Sequence, residues 1–226
     1  MLREEEVGEG ALGSGFKIAL RDLEIRGAGN LLGAEQSGHI AAVGFDAYAR
    51  ILQESVRELQ GQPVEQETEL RIDLPVKAFV PPGWLAQEAL RLELYRRIGM
   101  ARDHEALAMI RDETVDRFGA LPDPVQVLFA IASLRLSALA IDVEEITTYR
   151  EQVRVKPLVL SDVVEIGLSA LIPGATYADA TSTLNLVPER VFGADLVRWV
   201  ESRMRQAAGE PAESGLEPTV VERPAS

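Results

Sequence analysis

Apolar residues recur along the chain with two different periods, which predict strands and helices. Between residues 68 and 76 apolar and polar side chains alternate, which predicts a strand with one buried face. Asp103 and Gly119 bracket a helix as its N-cap and its C-terminal stop. Spacings of three and four residues between apolar positions predict further helices at 45–59, 85–100, 124–139, 161–171 and 193–207.

Short apolar runs between turn-forming residues predict the remaining elements. Residues 146–149 and 153–155 predict a hairpin, and residues 184–187 predict another short strand. The Pro-Pro-Gly sequence at 81–83 predicts a turn after the first strand. The pattern is typical of an α+β fold: an irregular glycine-rich unit with one helix, followed by a compact mixed α/β domain with a small sheet and several helices.

Changes in composition divide the chain into four segments. Residues 1–12 are acidic and glycine-rich and are predicted to be a disordered leader. Residues 13–62 form the glycine-rich unit with its helix, and residues 63–208 form the mixed domain. Residues 209–226 are rich in Pro, Glu and Ser, which predicts a disordered tail.

Composition narrows the classes of function. The chain has 226 residues, a net charge of −13 and no Cys, so disulfides, thiolate metal sites and cysteine nucleophiles are excluded. The acidic balance disfavours non-specific binding to nucleic acid by the free chain. No apolar run approaches the roughly 18 residues of a membrane helix, so no membrane contact is predicted and the expected location is cytoplasmic.

The sequence motifs that would indicate nucleotide binding or metal binding are incomplete or missing in this chain. Residues 8–13 spell G-x-G-x-x-G, but no strand precedes them, as a dinucleotide-binding loop requires. The phosphate-binding sequence G-x-x-x-x-G-K-[ST] does not occur. His39 and His104 lack a second His at metal-ligand spacing, and His104 is interpreted as a solvated residue at a helix start. We therefore predict neither a catalytic residue nor a metal site.

The segment from residue 13 to residue 38 combines arginines with closely spaced glycines. Arg21, Arg26 and Gln36 stand among short apolar clusters. Such a segment could be a hinge whose arginines bind carboxylates or phosphates in two different states, or a turn region with solvated arginines. Composition leaves both interpretations open. The candidate hinge glycines are Gly27, Gly29, Gly33 and Gly38.

Residues 22–38 follow the pattern D-L-E-I-R-G-x-G-x-x-L-G-x-x-Q-S-G position by position. This stretch resembles the translocation motif shared by the RecG helicase and the bacterial transcription-repair coupling factor, Mfd. The runs L-R-L-E-L-Y-R-R-I at 90–98 and V-D-R-F-G-A-L-P-D-P at 115–124 resemble the C-terminal domain of the coupling factor. The resemblance spans about residues 13–207.

The resemblance implies a function for each part. The family is a superfamily 2 translocase on double-stranded DNA that displaces stalled RNA polymerase and recruits UvrA. Its translocation motif, a helical hairpin and loop, relays movement of the RecA-like motor lobes to the duplex, and Arg26, Gln36 and Arg21 take that coupling role here. The C-terminal domain folds back on a UvrB-like module and masks its UvrA-binding surface.

The same resemblance implies what this chain does not do alone. The RecA-like lobes that bind ATP and Mg, and the UvrB-like module, would all precede residue 1. We therefore expect a non-catalytic chain without a cofactor of its own. The alternatives are a truncated remnant, an independent domain with a protein-interaction role only, or an enzyme whose site has no recognisable motif.

Overall fold

The computed structural model describes residues 70–209. The predicted helix at 45–59, the predicted leader and the part of the predicted tail beyond Gly209 lie outside this range. The proposed division into segments therefore stays a prediction, and the fold below is that of the described part.

The described residues form five strands and five α-helices, as the sequence pattern predicts in outline. The strands are β1 (Arg71–Asp73), β2 (Glu145–Tyr149), β3 (Gln152–Lys156), β4 (Thr176–Ala178) and β5 (Thr183–Leu186). The helices are α1 (Glu88–Gly99), α2 (His104–Phe118), α3 (Asp123–Ala140), α4 (Asp162–Leu171) and α5 (Gly193–Ala207).

The strands form one mixed sheet in the order β1-β2-β3-β5-β4. Strand β1 runs parallel to β2, with Ile72 opposite Ile146, although more than seventy residues separate them in sequence. The other neighbouring pairs are antiparallel. The predicted hairpin is confirmed as β2 and β3, and it turns through two residues of positive φ, Arg150 and Glu151.

The alternation that predicts the first strand is confirmed from Leu70 onward. Every second residue from Leu70 to Val80 is buried, and the residues between them are exposed or half-buried. Only Arg71–Asp73 pairs in the sheet, so the buried face continues beyond the strand. The Tyr95 hydroxyl accepts a hydrogen bond of 2.7 Å from the Val80 amide and thereby fixes the end of this segment to α1.

Helix α3 is the centre of the core. Eleven of its eighteen residues are buried, and α1, α2 and α5 all pack against it. By length and composition alone α3 could cross a membrane, which corrects the expectation that no segment approaches a membrane span. Since 61% of it is buried inside the domain, α3 has the burial of a core helix.

Differences from the prediction include two helix starts and one strand. Helix α1 begins at Glu88 instead of residue 85, because the Arg91 guanidinium binds the carbonyls of Leu85 and Ala86 at 3.0 and 2.9 Å. Helix α3 begins at Asp123, with Pro122 as its N-cap, one residue before the predicted start at residue 124. Strand β4 was not predicted, because three residues at a sheet edge carry too little pattern.

Truncating a buried side chain should lower the free energy of unfolding more than truncating an exposed one. We expect Phe129→Ala to lower the free energy of unfolding by about 3–5 kcal/mol, because Phe129 is buried in α3. Leu92→Ala should cost less, since Leu92 is only partly buried against the core. Urea denaturation would measure both, with the exposed Met109→Ala as control. Equal losses in all three variants would contradict this assignment of the core.

Candidate protein-docking site

The sequence-predicted site residues lie outside the described part of the chain. Arg21, Arg26 and Gln36 belong to residues 1–69, as do the four candidate hinge glycines. The structure therefore neither brings them together nor separates them, and their roles stay predictions. Among residues 70–209 no group of three or more His, Cys, Asp or Glu side chains could hold a metal ion.

Helix α2 leaves most of its side chains outside the core. Asp103 caps it, since its Oδ1 accepts a hydrogen bond of 2.7 Å from the Ala106 amide, and Gly119 ends it at φ 81°, so both predicted boundaries are confirmed. Of its fifteen residues only Leu107 and Thr114 are buried. A helix with so narrow a buried stripe leaves most of its surface for water or for a partner.

One stripe of α2 combines acidic and apolar side chains. Glu105, Asp112 and Asp116 lie on the same side of the helix, at spacings of seven and four residues. Met109 stands between them and is 67% exposed. The three carboxylates make no ion pair with another residue of the 70–209 range. We call these four residues the α2 face, and their chemistry suits a partner surface that is basic around an apolar centre.

The fourth acidic residue of this region, Glu113, has a different role. It pairs with Arg97 of α1 and, at 3.1 Å, with Arg117 one turn further along α2. The hydrogen bond from Arg97, followed by that from Arg117, lowers the pKa of Glu113 from 4.5 to about 2. Its carboxylate therefore connects two helices and is already engaged, unlike those of the α2 face.

Aromatic contacts hold the C-terminal end of α2 against the turn that precedes α1. The rings of Trp84 and Phe118 meet edge to face, with centroids 5.9 Å apart. The Arg117 guanidinium lies 5.1 Å from the centre of the Phe118 ring. This end of the helix is thus fixed by both charge and aromatic packing.

A polar network holds the N-terminal end of α2 against α3 and α5. The hydroxyls of Ser133 and Ser137 lie 3.1 and 3.2 Å from the two ring nitrogens of His104. Both hydroxyls also donate to Oε1 of Glu201, at 2.8 and 2.6 Å. Each serine hydroxyl therefore bridges the His104 ring and the Glu201 carboxylate.

This network corrects one detail of the sequence analysis. His104 is exposed at a helix start, as predicted, but it contacts two serines that the sequence did not connect with it. In a Ser-His-acid triad the acid contacts the ring, whereas here Glu201 contacts the serines. The arrangement therefore orients α2 and does not activate a nucleophile.

Sequence reasoning missed the α2 face. The available signal was the spacing of Glu105, Asp112 and Asp116 on a helix whose two ends were predicted correctly. The sequence could not show that Glu113 is paired and that the other three are not, because its partner Arg97 lies on another helix.

The pairing of Glu113 should make stability depend on pH in a defined window. Because its folded pKa is lowered, the stabilisation is present above pH 4.5 and is lost as the pH falls towards 2. We expect Glu113→Gln to destabilise the domain at pH 7 and to have little effect near pH 2. Urea denaturation between pH 2 and pH 7 would measure the free energy of unfolding of both proteins, with Glu189→Gln in an exposed loop as the control variant. A Glu113→Gln effect that stays constant with pH would contradict the assignment.

Residues 74–158 match the family model of the TRCF domain. This range begins in the buried segment after β1 and ends just after β3, so it contains α1, α2 and α3. The α2 face therefore belongs entirely to the matched region.

Curated relatives extend the similarity. The chain is 40% identical over 220 aligned residues to the transcription-repair-coupling factor of Mycobacterium tuberculosis, which covers 88% of this chain and 18% of that protein. It is 41% identical over 144 residues to the coupling factor of Bacillus subtilis, covering 63% of this chain and 12% of that protein. The chain thus spans less than a fifth of the length of these relatives.

A solved structure shows the same fold. The crystal structure of the C-terminal domain of a transcription-repair coupling factor matches with a TM-score of 0.50. The match covers 65% of this chain and 94% of that domain, at 13% sequence identity. The mixed α/β architecture predicted for the second part of the chain is therefore that of a known domain.

Proposed function

We propose that this chain is the C-terminal portion of a transcription-repair coupling factor and acts in DNA repair without a catalytic site of its own. The observation that carries the proposal is the match of residues 74–158 to the TRCF domain. The relatives at 40% identity support it over a longer range. The same relatives support a cytoplasmic location.

The first proposed role is autoinhibitory: the described domain covers the UvrA-binding surface of a UvrB-like module. The α2 face supports this role, because its three carboxylates and Met109 are exposed and the helix is fixed at both ends. A rigid surface binds with less loss of conformational entropy than a mobile one. The carboxylates around Met109 also favour a reversible contact between the α2 face and the UvrB-like module.

The second proposed role is to relay movement of RecA-like motor lobes to duplex DNA. Arg26 and Gln36, with Arg21 beside them, would carry it, and Gly27 and Gly29 would allow the motion. The alignment to the mycobacterial relative supports this role, since 88% of the chain is more than residues 70–209 alone can supply. In this proposal ATP and Mg bind to the motor lobes, and RNA polymerase and UvrA are indirect partners.

Binding in trans tests the autoinhibitory role. We expect the purified chain to bind the UvrB-like module of the same organism in isothermal titration calorimetry and to show no DNA-stimulated ATP hydrolysis. The double variant Asp112→Asn/Asp116→Asn should weaken binding about tenfold, which corresponds to 1.4 kcal/mol. Asp179→Asn removes an exposed carboxylate far from α2 in sequence and serves as the matched control. Absence of binding would overturn the role, and equal binding by all variants would exclude the α2 face.

Substitution in a full-length coupling factor tests the relay role. We expect Arg26→Ala to leave ATP hydrolysis intact and to slow translocation on duplex DNA about 5- to 150-fold. A guanidinium contact made in only one of two states biases their equilibrium by about 1–3 kcal/mol. Triplex displacement and phosphate release would measure the two activities. Equal loss of ATP hydrolysis and translocation would contradict a role that is limited to relaying movement.

A further inference from the structure

The sheet has a polar outer face. Thr147, Arg154 and Asn185 lie opposite one another on β2, β3 and β5, and all three are half-buried. The neighbouring pair Ile146 and Val155 belongs to the other face and is fully buried. Because successive side chains of a strand point to opposite faces, one face of the sheet belongs to the core and the other meets the surroundings.

The hairpin of β2 and β3 carries an exposed aromatic ring on this outer face. Tyr149, the last residue of β2, is 45% exposed. The guanidinium carbon of Arg154 on β3 lies 4.1 Å from the centre of the Tyr149 ring. The guanidinium carbon of Arg150, in the turn, lies 5.2 Å from the same point. We call Tyr149, Arg150 and Arg154 the hairpin patch.

The two guanidiniums of the hairpin patch are not neutralised by another described side chain. Neither makes an ion pair with a residue of the 70–209 range. The other charged strand residues of the outer face pair with each other. Arg71 lies 3.6 Å from Asp73, and Lys156 lies 2.8 Å from Glu145. The positive charge of the hairpin patch therefore remains available to a partner.

Backbone and ring together hold the guanidiniums in place. The strands pair as far as Tyr149 and Gln152, so Arg150 and Glu151 form a two-residue turn with φ of 48° and 65°. Short turns of positive φ fit the twist of paired strands. A guanidinium stacked on an aromatic ring keeps the N–H groups at its edge free to donate. The hairpin patch can thus bind an anion with less loss of side-chain entropy than two solvated arginines would have.

We propose that the hairpin patch binds the carboxylates of an acidic protein segment. A guanidinium binds a carboxylate through two parallel hydrogen bonds, so two guanidiniums beside one ring can bind two neighbouring Asp or Glu side chains. Charge selects this partner, because the turn places only one acidic residue, Glu151, beside two unpaired arginines. The ring of Tyr149 positions the guanidiniums.

Nucleic acid is a poorer occupant of the hairpin patch. A base stacks on an open aromatic face, but guanidiniums lie over the ring of Tyr149. A phosphate chain also needs basic residues along its path, whereas the other charged strand residues of this face are already paired. This inference concerns a different surface from the α2 face and goes beyond the proposed function.

Fluorescence anisotropy of the full chain with a labelled peptide of alternating Glu and Ser tests the proposal. Salt at about 0.15 M would limit repulsion of the peptide by the net charge of −13. We expect Arg154→Gln to weaken peptide binding about tenfold. Arg102→Gln is the matched control and should leave binding unchanged, since Arg102 is exposed and makes no ion pair with a described residue.

The ring is tested separately from the charge. We expect Tyr149→Leu to weaken peptide binding about fivefold, because the guanidiniums lose the surface on which they stack. Tyr149→Phe should bind as the natural chain does, since it keeps the ring. Urea denaturation would show that each variant remains folded.

Other results would overturn the proposal. Equal weakening by Arg154→Gln and Arg102→Gln would indicate attraction to any exposed arginine, and equal weakening by Tyr149→Leu and Tyr149→Phe would exclude the positioning role of the ring. Absence of peptide binding, or tighter binding of a labelled single-stranded DNA, would reject an acidic protein segment. In sedimentation velocity, a dimer that Arg154→Gln dissociates would identify a second copy as the occupant. None of these outcomes depends on binding of a UvrB-like module.

Discussion

The structure depends on the need to cover α3, an apolar helix of eighteen residues with eleven of them buried. An apolar helix of this length must be enclosed by protein or by lipid, and here α1, α2 and α5 enclose it. The two serines of α3, Ser133 and Ser137, are satisfied by His104 and Glu201 from two of those helices. Covering α3 therefore also determines where α2 lies and which of its faces remains free.

Much of the fold could be predicted because its signals are local. Asp103 and Gly119 end α2 through their own backbone chemistry, and α5 begins and ends where its apolar period does. The order of the strands could not be predicted, because the pairing of Ile72 with Ile146 depends on the packing of the helices between them. The start of α1 was missed since the Arg91 guanidinium competes for the carbonyls before it.

The candidate site was less predictable than the fold. A sequence shows that Glu113 and Asp116 are acidic neighbours on one helix, but it does not show that only Glu113 has partners on both sides. The structure separates carboxylates that hold helices together from carboxylates that remain free to bind. That difference decides which substitutions disturb stability and which disturb binding.

The distribution of charge changes one argument made from composition. Residues 70–209 contain 16 basic and 19 acidic side chains, so most of the net charge of −13 belongs to residues 1–69 and 210–226. The net charge of the whole chain predicts repulsion of phosphate, but residues 70–209 alone repel phosphate only weakly. The sign of a local surface, such as the α2 face, matters more for partner choice than the total. A nearly neutral domain that carries the acidic α2 face is suited to a contact with a basic partner surface whose approach charge can direct.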